Sequence, residues 1–100
     1  MRAIVVYQKD GPHLVWEAVE NPAPGSGEVL IDVAAAGVNR ADLLQAHGRY
    51  PPPAGVSDIL GLEIAGKIAG VGAGVTGWKV GDRVCALLPG GGYAERCTVH

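Results

Sequence analysis

The sequence has few cysteines, and this scarcity excludes several kinds of site. Cys85 and Cys97 are the two cysteines among 100 residues. They form no Cys-x-x-Cys pair, and the histidines lack ligand spacing, so the sequence predicts neither a metal cluster nor a redox dithiol. Both thiols are expected to act as small apolar core residues with no disulfide between them. We therefore expect no metal site.

Clustered positive charge and long apolar runs are also missing. The chain has 8 Lys and Arg against 10 Asp and Glu, for a formal net charge of -2. The basic residues are scattered, so they offer no electrostatic patch to nucleic acid or to an anionic membrane. The apolar run at residues 3–7 is too short for a signal-peptide core, and no window is long enough for a spanning helix. These patterns predict a cytoplasmic protein without nucleic-acid or membrane partners.

The residues that are abundant favour a mainly β fold. Apolar residues make up 48% of the chain and charged residues 18%, while 16 Gly and 7 Pro favour tight turns between short strands. Residues 3–7 and 14–19 flank a turn and predict a hairpin, and residues 28–35 predict a central strand. Further strands are predicted at 64–71, 83–88 and 93–99. One domain over residues 1–100 is expected.

One short helix is predicted over residues 40–47. Asn39 stands at its N-cap, and Asp42 falls in the first turn, where a carboxylate suits the helix dipole. Asp42 and Glu63 are expected to serve the dipole and internal hydrogen bonds rather than to form an acid-base pair.

The glycines of residues 72–77 satisfy the pattern G-x-G-x-x-G after an apolar run. That pattern binds a dinucleotide only where the third glycine opens a helix that faces the pyrophosphate. Residues 78–82 show no helical period and contain Gly81. A hairpin turn is therefore predicted here.

Three blocks resemble a known family: residues 39–45 (NRADLLQ), 59–63 (ILGLE) and 88–95 (LPGGGYAE). Together they resemble the zinc-free quinone oxidoreductases, related to zeta-crystallin, of the medium-chain dehydrogenase/reductase superfamily. In the zinc-dependent branch the positions that match Asn39 and Leu62 are a Cys and a His that bind the metal, and an amide and an isobutyl group cannot replace them. The resemblance implies a GroES-like, partly open antiparallel β-barrel with one short helix.

The resemblance also implies the site residues. Asn39 is expected to be catalytic and to bind the nicotinamide end of NADPH, while it also caps the helix. Tyr50, in a Gly-x-Tyr-Pro stretch, is expected to be catalytic and to line the substrate pocket. Leu62 is expected to contact the substrate. Gly92 belongs to a glycine run that allows a close approach, either to the cofactor or to another strand.

The leading hypothesis is the N-terminal, substrate-domain portion of a zinc-independent NADPH:quinone oxidoreductase. Its substrate would be a quinone or another small electrophilic carbonyl compound. The family's enzymes are longer and include a Rossmann domain, so residues 1–100 are expected to be a truncated domain, without the Rossmann part and inactive alone.

Two alternatives stay open. The first is part of an enoyl-thioester reductase with Tyr50 as proton donor. The second is a non-enzymatic β-domain that self-associates through exposed strand edges. Because those edges are uncovered, a homo-oligomer is expected.

Overall fold

The computed structural model describes residues 1–8, 11–47 and 58–100. Within these ranges the chain forms strands β1 (Arg2–Gln8), β2 (Pro12–Ala18), β3 (Val29–Ala36), β4 (Glu63–Val71), β5 (Arg83–Leu87) and β6 (Arg96–Val99), with helix α1 (Arg40–Ala46) between β3 and β4. Every pairing between these strands is antiparallel. The mainly β prediction is confirmed.

Strands β1 and β2 form the predicted hairpin. Val5 lies opposite Val15 at its middle, and Ile4 lies opposite Trp16. Trp16 and Leu14 are exposed, and β2 has no neighbouring strand on its other side among the described residues. The hairpin is anchored instead through β1, whose Ala3 is fully buried.

The remaining strands form one sheet in the order β5-β4-β3-β6. Strand β3 therefore lies inside the sheet, as predicted for a central strand. The two sheets meet where Ala3 of β1 bridges Ala94, and the Ile4 N–H donates to the Tyr93 carbonyl at 2.8 Å. The assembly is a partly open antiparallel barrel, and in the described part of the chain β2 and β5 each lie at the edge of a sheet.

The core lies on one face of the four-stranded sheet. Alternate side chains of a strand point to the same face, and on β3 these are Val29 and Ile31. Ile31 and Ile68 have the largest fully buried side chains. The buried cluster comprises Val29, Ile31, Ile64, Ile68, Leu88 and Cys97. This core fixes β3 and β4, the two strands whose ends carry the candidate site.

Two predictions are corrected by the sheet. Strand β6 begins at Arg96 rather than at residue 93, because residues 93–95 pair with β1 through the Tyr93 carbonyl and the Glu95 N–H. Cys85 is exposed, whereas it was expected in the core. Its position on β5 alternates with the inward-facing Val84 and Ala86, so its thiol points to the opposite face. Cys97 is buried, as expected, and both cysteines are free.

Helix α1 ends at Ala46, one residue earlier than predicted, and His47 is its C-cap. The Gln8 side chain donates to the Ala46 carbonyl, so β1 satisfies one of the free carbonyls at the helix end. Over residues 1–8, 11–47 and 58–100, no helix has both the length and the apolar character needed to cross a membrane.

Candidate functional site

Asn39 lies at the junction between β3 and α1. Its backbone is extended, with φ −128° and ψ 155°, and the next residue begins the helix. This is the conformation that an N-cap residue adopts. The predicted N-cap position of Asn39 is therefore confirmed, and its half-buried side chain lies at the end of the sheet.

Asp42 is the buried carboxylate of this region, with 4% of its surface exposed. Its Oδ2 accepts a hydrogen bond from the Asn39 backbone N–H at 2.8 Å. The carboxylate therefore satisfies one of the free N–H groups at the helix start and interacts favourably with the dipole there. The predicted role of Asp42 in internal hydrogen bonding is confirmed.

Glu63 holds the Asn39 side chain from the neighbouring strand. The Asn39 Nδ2 donates to Glu63 Oε1 at 3.1 Å, although 24 residues separate the two. The approach depends on Gly37, since a Cβ there would lie 2.1 Å from Glu63 Oε1. The Gly37 N–H also donates to the Glu63 carbonyl at 3.0 Å. Gly37 and Glu63 thus set the direction of the Asn39 amide.

Tyr93 joins this cluster from the segment before β6, a contact that the sequence did not predict. Its hydroxyl donates to Asp42 Oδ2 and lies 3.1 Å from the Gly37 carbonyl oxygen. Burial, with the carboxylates of Asp42 and Glu63 as smaller causes, raises the pKa of Tyr93 to about 12. Tyr93 belongs to the block at residues 88–95 that resembles the family. That resemblance did not indicate which residue the Tyr93 hydroxyl would contact.

Gly92 packs against protein backbone. A Cβ at the buried Gly61, whose φ is +109°, would lie 2.7 Å from the Gly92 Cα and 2.6 Å from the Tyr93 nitrogen. The Gly92 N–H donates to the Gly61 carbonyl at 3.1 Å. The close approach that the glycine run allows is thus made to another segment of the chain, and cofactor binding at Gly92 stays a prediction.

Leu62 lies between the Gly61–Gly92 contact and Glu63. Its side chain is half-buried, and its carbonyl accepts the Leu88 N–H at 2.7 Å. This places an apolar side chain one residue before the carboxylate that holds Asn39. Contact between Leu62 and a substrate stays a prediction, as does the role of Tyr50, which lies outside the described residues.

The glycines of residues 72–77 belong to the connection between the antiparallel strands β4 and β5, as predicted for a hairpin. The Gly72 N–H donates to the Glu28 carbonyl at 2.7 Å, and a Cβ on Gly72 would lie 1.9 Å from the Gly25 carbonyl oxygen. Gly72 is therefore needed for packing against residues 25–28. No helix follows this turn in the described residues, so it lacks the geometry of a phosphate loop.

The donor set of this site does not suit a zinc ion. Zinc sites in proteins are built from thiolate, imidazole and carboxylate ligands. Here Asn39 offers an amide and Leu62 an alkyl group, and the two nearby carboxylates already accept hydrogen bonds, Glu63 from the Asn39 side chain and Asp42 from the Asn39 backbone. Among residues 1–8, 11–47 and 58–100, no group of three or more His, Cys, Asp or Glu is placed to hold a metal.

Comparison with protein families assigns the fold. The family described as alcohol dehydrogenase GroES-like domain matches residues 25–100. The chain belongs to this family. The match covers β3, α1, β4, β5 and β6, and therefore every residue of the cluster described above.

Several of the similar proteins are oxidoreductases of the medium-chain dehydrogenase/reductase superfamily. Acryloyl-coenzyme A reductase of Metallosphaera sedula is 44% identical over 100 residues, which cover 100% of this chain and 28% of that protein. Quinone oxidoreductase of Rattus norvegicus is 42% identical over 98 residues, or 95% of this chain and 30% of that protein. The solved structure of mycobacterial Rv1454c complexed with NADPH is 39% identical, with a TM-score of 0.82 over 99% of this chain and 31% of the other.

These comparisons confirm the resemblance to quinone oxidoreductases and the GroES-like fold. The chain spans less than a third of the length of each of these three relatives.

Proposed function

We propose that this chain forms the substrate-domain part of an NADPH-dependent quinone oxidoreductase that works without zinc. The observation that supports this is the Asn39–Glu63 hydrogen bond. It orients the amide of Asn39, the residue that the family resemblance matches to a zinc-binding cysteine of the metal-dependent branch. The similarity to the quinone oxidoreductase of Rattus norvegicus supports the same assignment.

The residues present suit the nicotinamide end of such a cofactor. An asparagine amide nitrogen has two hydrogens, and here one is bonded to Glu63. The other can be donated to a carboxamide oxygen of the cofactor or to a carbonyl oxygen of the substrate. When bound, NADPH supplies the hydride, and the protein contributes binding and orientation. The relative complexed with NADPH supports this choice of cofactor.

The chain's own residues would orient the substrate and keep water away. Asn39 would hold a quinone carbonyl by a hydrogen bond that strengthens as negative charge develops on the oxygen. Leu62 would supply an apolar wall beside it. Tyr50 would line the pocket and stabilise the reduced oxygen by donating a hydrogen bond.

Reduction of an enoyl thioester is a second candidate, favoured by a specific comparison. The relative from Metallosphaera sedula is named an acryloyl-coenzyme A reductase. Quinones and enoyl thioesters share an electron-poor carbon–carbon double bond conjugated to a carbonyl group. In this alternative Tyr50 would deliver a proton to carbon after hydride transfer, and Asn39 would hold the thioester oxygen.

The other properties of the protein follow from the same assignment. We expect a cytoplasmic protein that forms a homo-oligomer, with β5 as the place for self-association, because this strand lies at a sheet edge and Leu87 is 81% exposed. The isolated 100-residue chain is expected neither to bind NADPH in a calorimetric titration nor to reduce quinone. NADPH-dependent turnover by this chain alone would contradict that expectation.

A chimera tests the activity itself. In it, these 100 residues replace the matching segment of the quinone oxidoreductase of Rattus norvegicus, which supplies the remainder of an enzyme. We expect NADPH-dependent reduction of benzoquinone, followed by loss of nicotinamide absorbance, at a rate that EDTA does not change. A higher kcat/KM for acryloyl-coenzyme A than for benzoquinone would favour the second candidate.

The Asn39→Ala variant of the chimera should lower kcat/KM about 10- to 100-fold, because one hydrogen bond to a charged or polarised group is lost. Arg40→Ala is the matched control, since Arg40 is the exposed next residue. Inhibition by EDTA, or an Asn39→Ala variant as active as the parent, would refute the proposal.

A further inference from the structure

The segment that joins β3 to α1, residues 37–39, is held by hydrogen bonds at both ends, one from a neighbouring strand and one from the first turn of α1. At one end the Gly37 N–H donates to the Glu63 carbonyl at 3.0 Å. At the other end the Asn39 N–H donates to Asp42 Oδ2 at 2.8 Å. Between them the Tyr93 hydroxyl contacts both the Gly37 carbonyl oxygen and Asp42 Oδ2. The backbone that carries the Asn39 side chain is therefore fixed on two sides.

Tyr93 is the residue that connects these contacts. Its hydroxyl has one hydrogen, and the two oxygen atoms around it are both acceptors, so it must act as a donor. The pKa of Tyr93 is raised from 10.0 to about 12, so the hydroxyl holds its proton more tightly than a free phenol does. A phenol that is engaged in this way serves as a fixed contact rather than as a proton source for a substrate.

Asp42 transmits the position of Tyr93 to Asn39. Oδ2 accepts from both the Tyr93 hydroxyl and the Asn39 N–H, whereas Oδ1 is buried without a partner among the described residues. Both donors thus act on the same oxygen atom. Loss of either donor removes a hydrogen bond that stabilises the buried Asp42 carboxylate. We therefore expect the Asp42 side chain to shift.

We propose that Tyr93 and Asp42 are positioning residues that hold residues 37–39 so that the Asn39 amide stays against Glu63. This inference rests on the proposed function, in which the Asn39 amide meets the cofactor or the substrate. Tyr93 acts through Asp42 and the Gly37 carbonyl, and it needs no contact with either ligand. Gly92, which packs against Gly61, immediately precedes Tyr93, and the Tyr93 hydroxyl reaches Asp42 in the first turn of α1.

The experiment measures the exchange of the Asn39 side-chain amide hydrogens with water by NMR in the 100-residue chain. Glu63→Ala removes the acceptor and gives the rate for an unbonded amide. In Tyr93→Phe and in Asp42→Asn we expect the exchange of the bonded hydrogen to rise about tenfold toward that rate. Tyr7→Phe is the control, because Tyr7 is exposed and its hydroxyl donates to Glu17, away from the site.

Unchanged Asn39 exchange in a folded Tyr93→Phe variant would overturn the proposal. Folding is checked by the backbone amide shifts of the β1–β2 hairpin, which should match the parent chain. If Tyr93→Phe does not fold, the exchange rate in Asp42→Asn tests the proposal instead, since this substitution keeps the shape of the side chain. Unchanged Asn39 exchange in Asp42→Asn would then overturn it. The measurement needs no cofactor. The exchange rate of the variants and the activity of the chimera therefore test different claims. Faster exchange in the variants would support the positioning role even if the chimera reduced no quinone, and that second result would refute only the proposed function.

Discussion

Replacing Gly61 by Ala tests the backbone contact beneath the candidate site. The new Cβ would lie 2.6 Å from the Tyr93 nitrogen and 2.7 Å from the Gly92 Cα. Both are backbone atoms, so no flexible side chain can rotate away to make room. Gly61 also has a φ of +109°, a conformation that residues with a Cβ rarely adopt.

Two costs add in the Gly61→Ala variant. Backbone strain at such a φ costs on the order of 1–3 kcal/mol, and overpacking of a filled interior costs about 1–3 kcal/mol more. We therefore expect the free energy of unfolding to fall by roughly 2–6 kcal/mol, a large part of the stability of a small domain. Since 1 kcal/mol corresponds to about 4–8 °C for a domain of this size, Tm should fall by at least about 8 °C.

Gly81→Ala separates the two costs. Gly81 has a similar φ of +95°, but a Cβ there would meet nothing within 4 Å. This variant should show the strain alone. Urea unfolding followed by circular dichroism gives both free energies, and Gly61→Ala should be the less stable by about 1–3 kcal/mol. Equal losses in the two variants would show that Gly61 and Gly92 are not in close contact, and the account of the glycine run would be wrong.

Three further predictions concern charges and thiols. Asp32→Asn should lower the free energy of unfolding by less than about 1 kcal/mol, because the Asp32–Arg96 ion pair, at 2.9 Å, is about half exposed on both sides; a larger loss in urea unfolding would contradict this. Cys85 should react with Ellman's reagent in the folded chain and Cys97 only after unfolding, since Cys97 is buried and burial raises its pKa to about 11; two fast thiols in the native protein would refute it. The stability contributed by Tyr93 should be complete below pH 10.0 and be lost as the pH rises to about 12, because the folded state holds the phenolic proton more tightly than the unfolded state. Unfolding measured across this range should show a steeper loss in the parent chain than in Tyr93→Phe.

Local sequence patterns predicted most elements of the fold. The hairpin, the central strand, the helix start at Asn39 and the turn at residues 72–77 were all predicted. Each depends on neighbours within a few residues, such as alternating apolar positions or a carboxylate in the first turn of a helix. The start of β6 was wrong because residues 93–95 pair with β1, more than 80 positions earlier in the chain, and no local pattern carries that information.

For the candidate site, too, the sequence indicated some features and the structure was needed for others. Sequence alone indicated Asn39, Tyr50, Leu62 and Gly92 through their resemblance to a family pattern, and it predicted a site without zinc. It did not show that Gly92 packs on Gly61 or that Asn39 bonds to Glu63.

By itself, therefore, the sequence indicated the family, the mainly β architecture and Asn39 as a candidate site residue. Only the tertiary structure decided that Tyr93 reaches Asp42 across 51 residues and that Gly37 leaves room for Glu63. The physical reason is that short-range preferences act along the chain, whereas the direction of a side chain at the site is set by packing and hydrogen bonds between segments that meet only after folding.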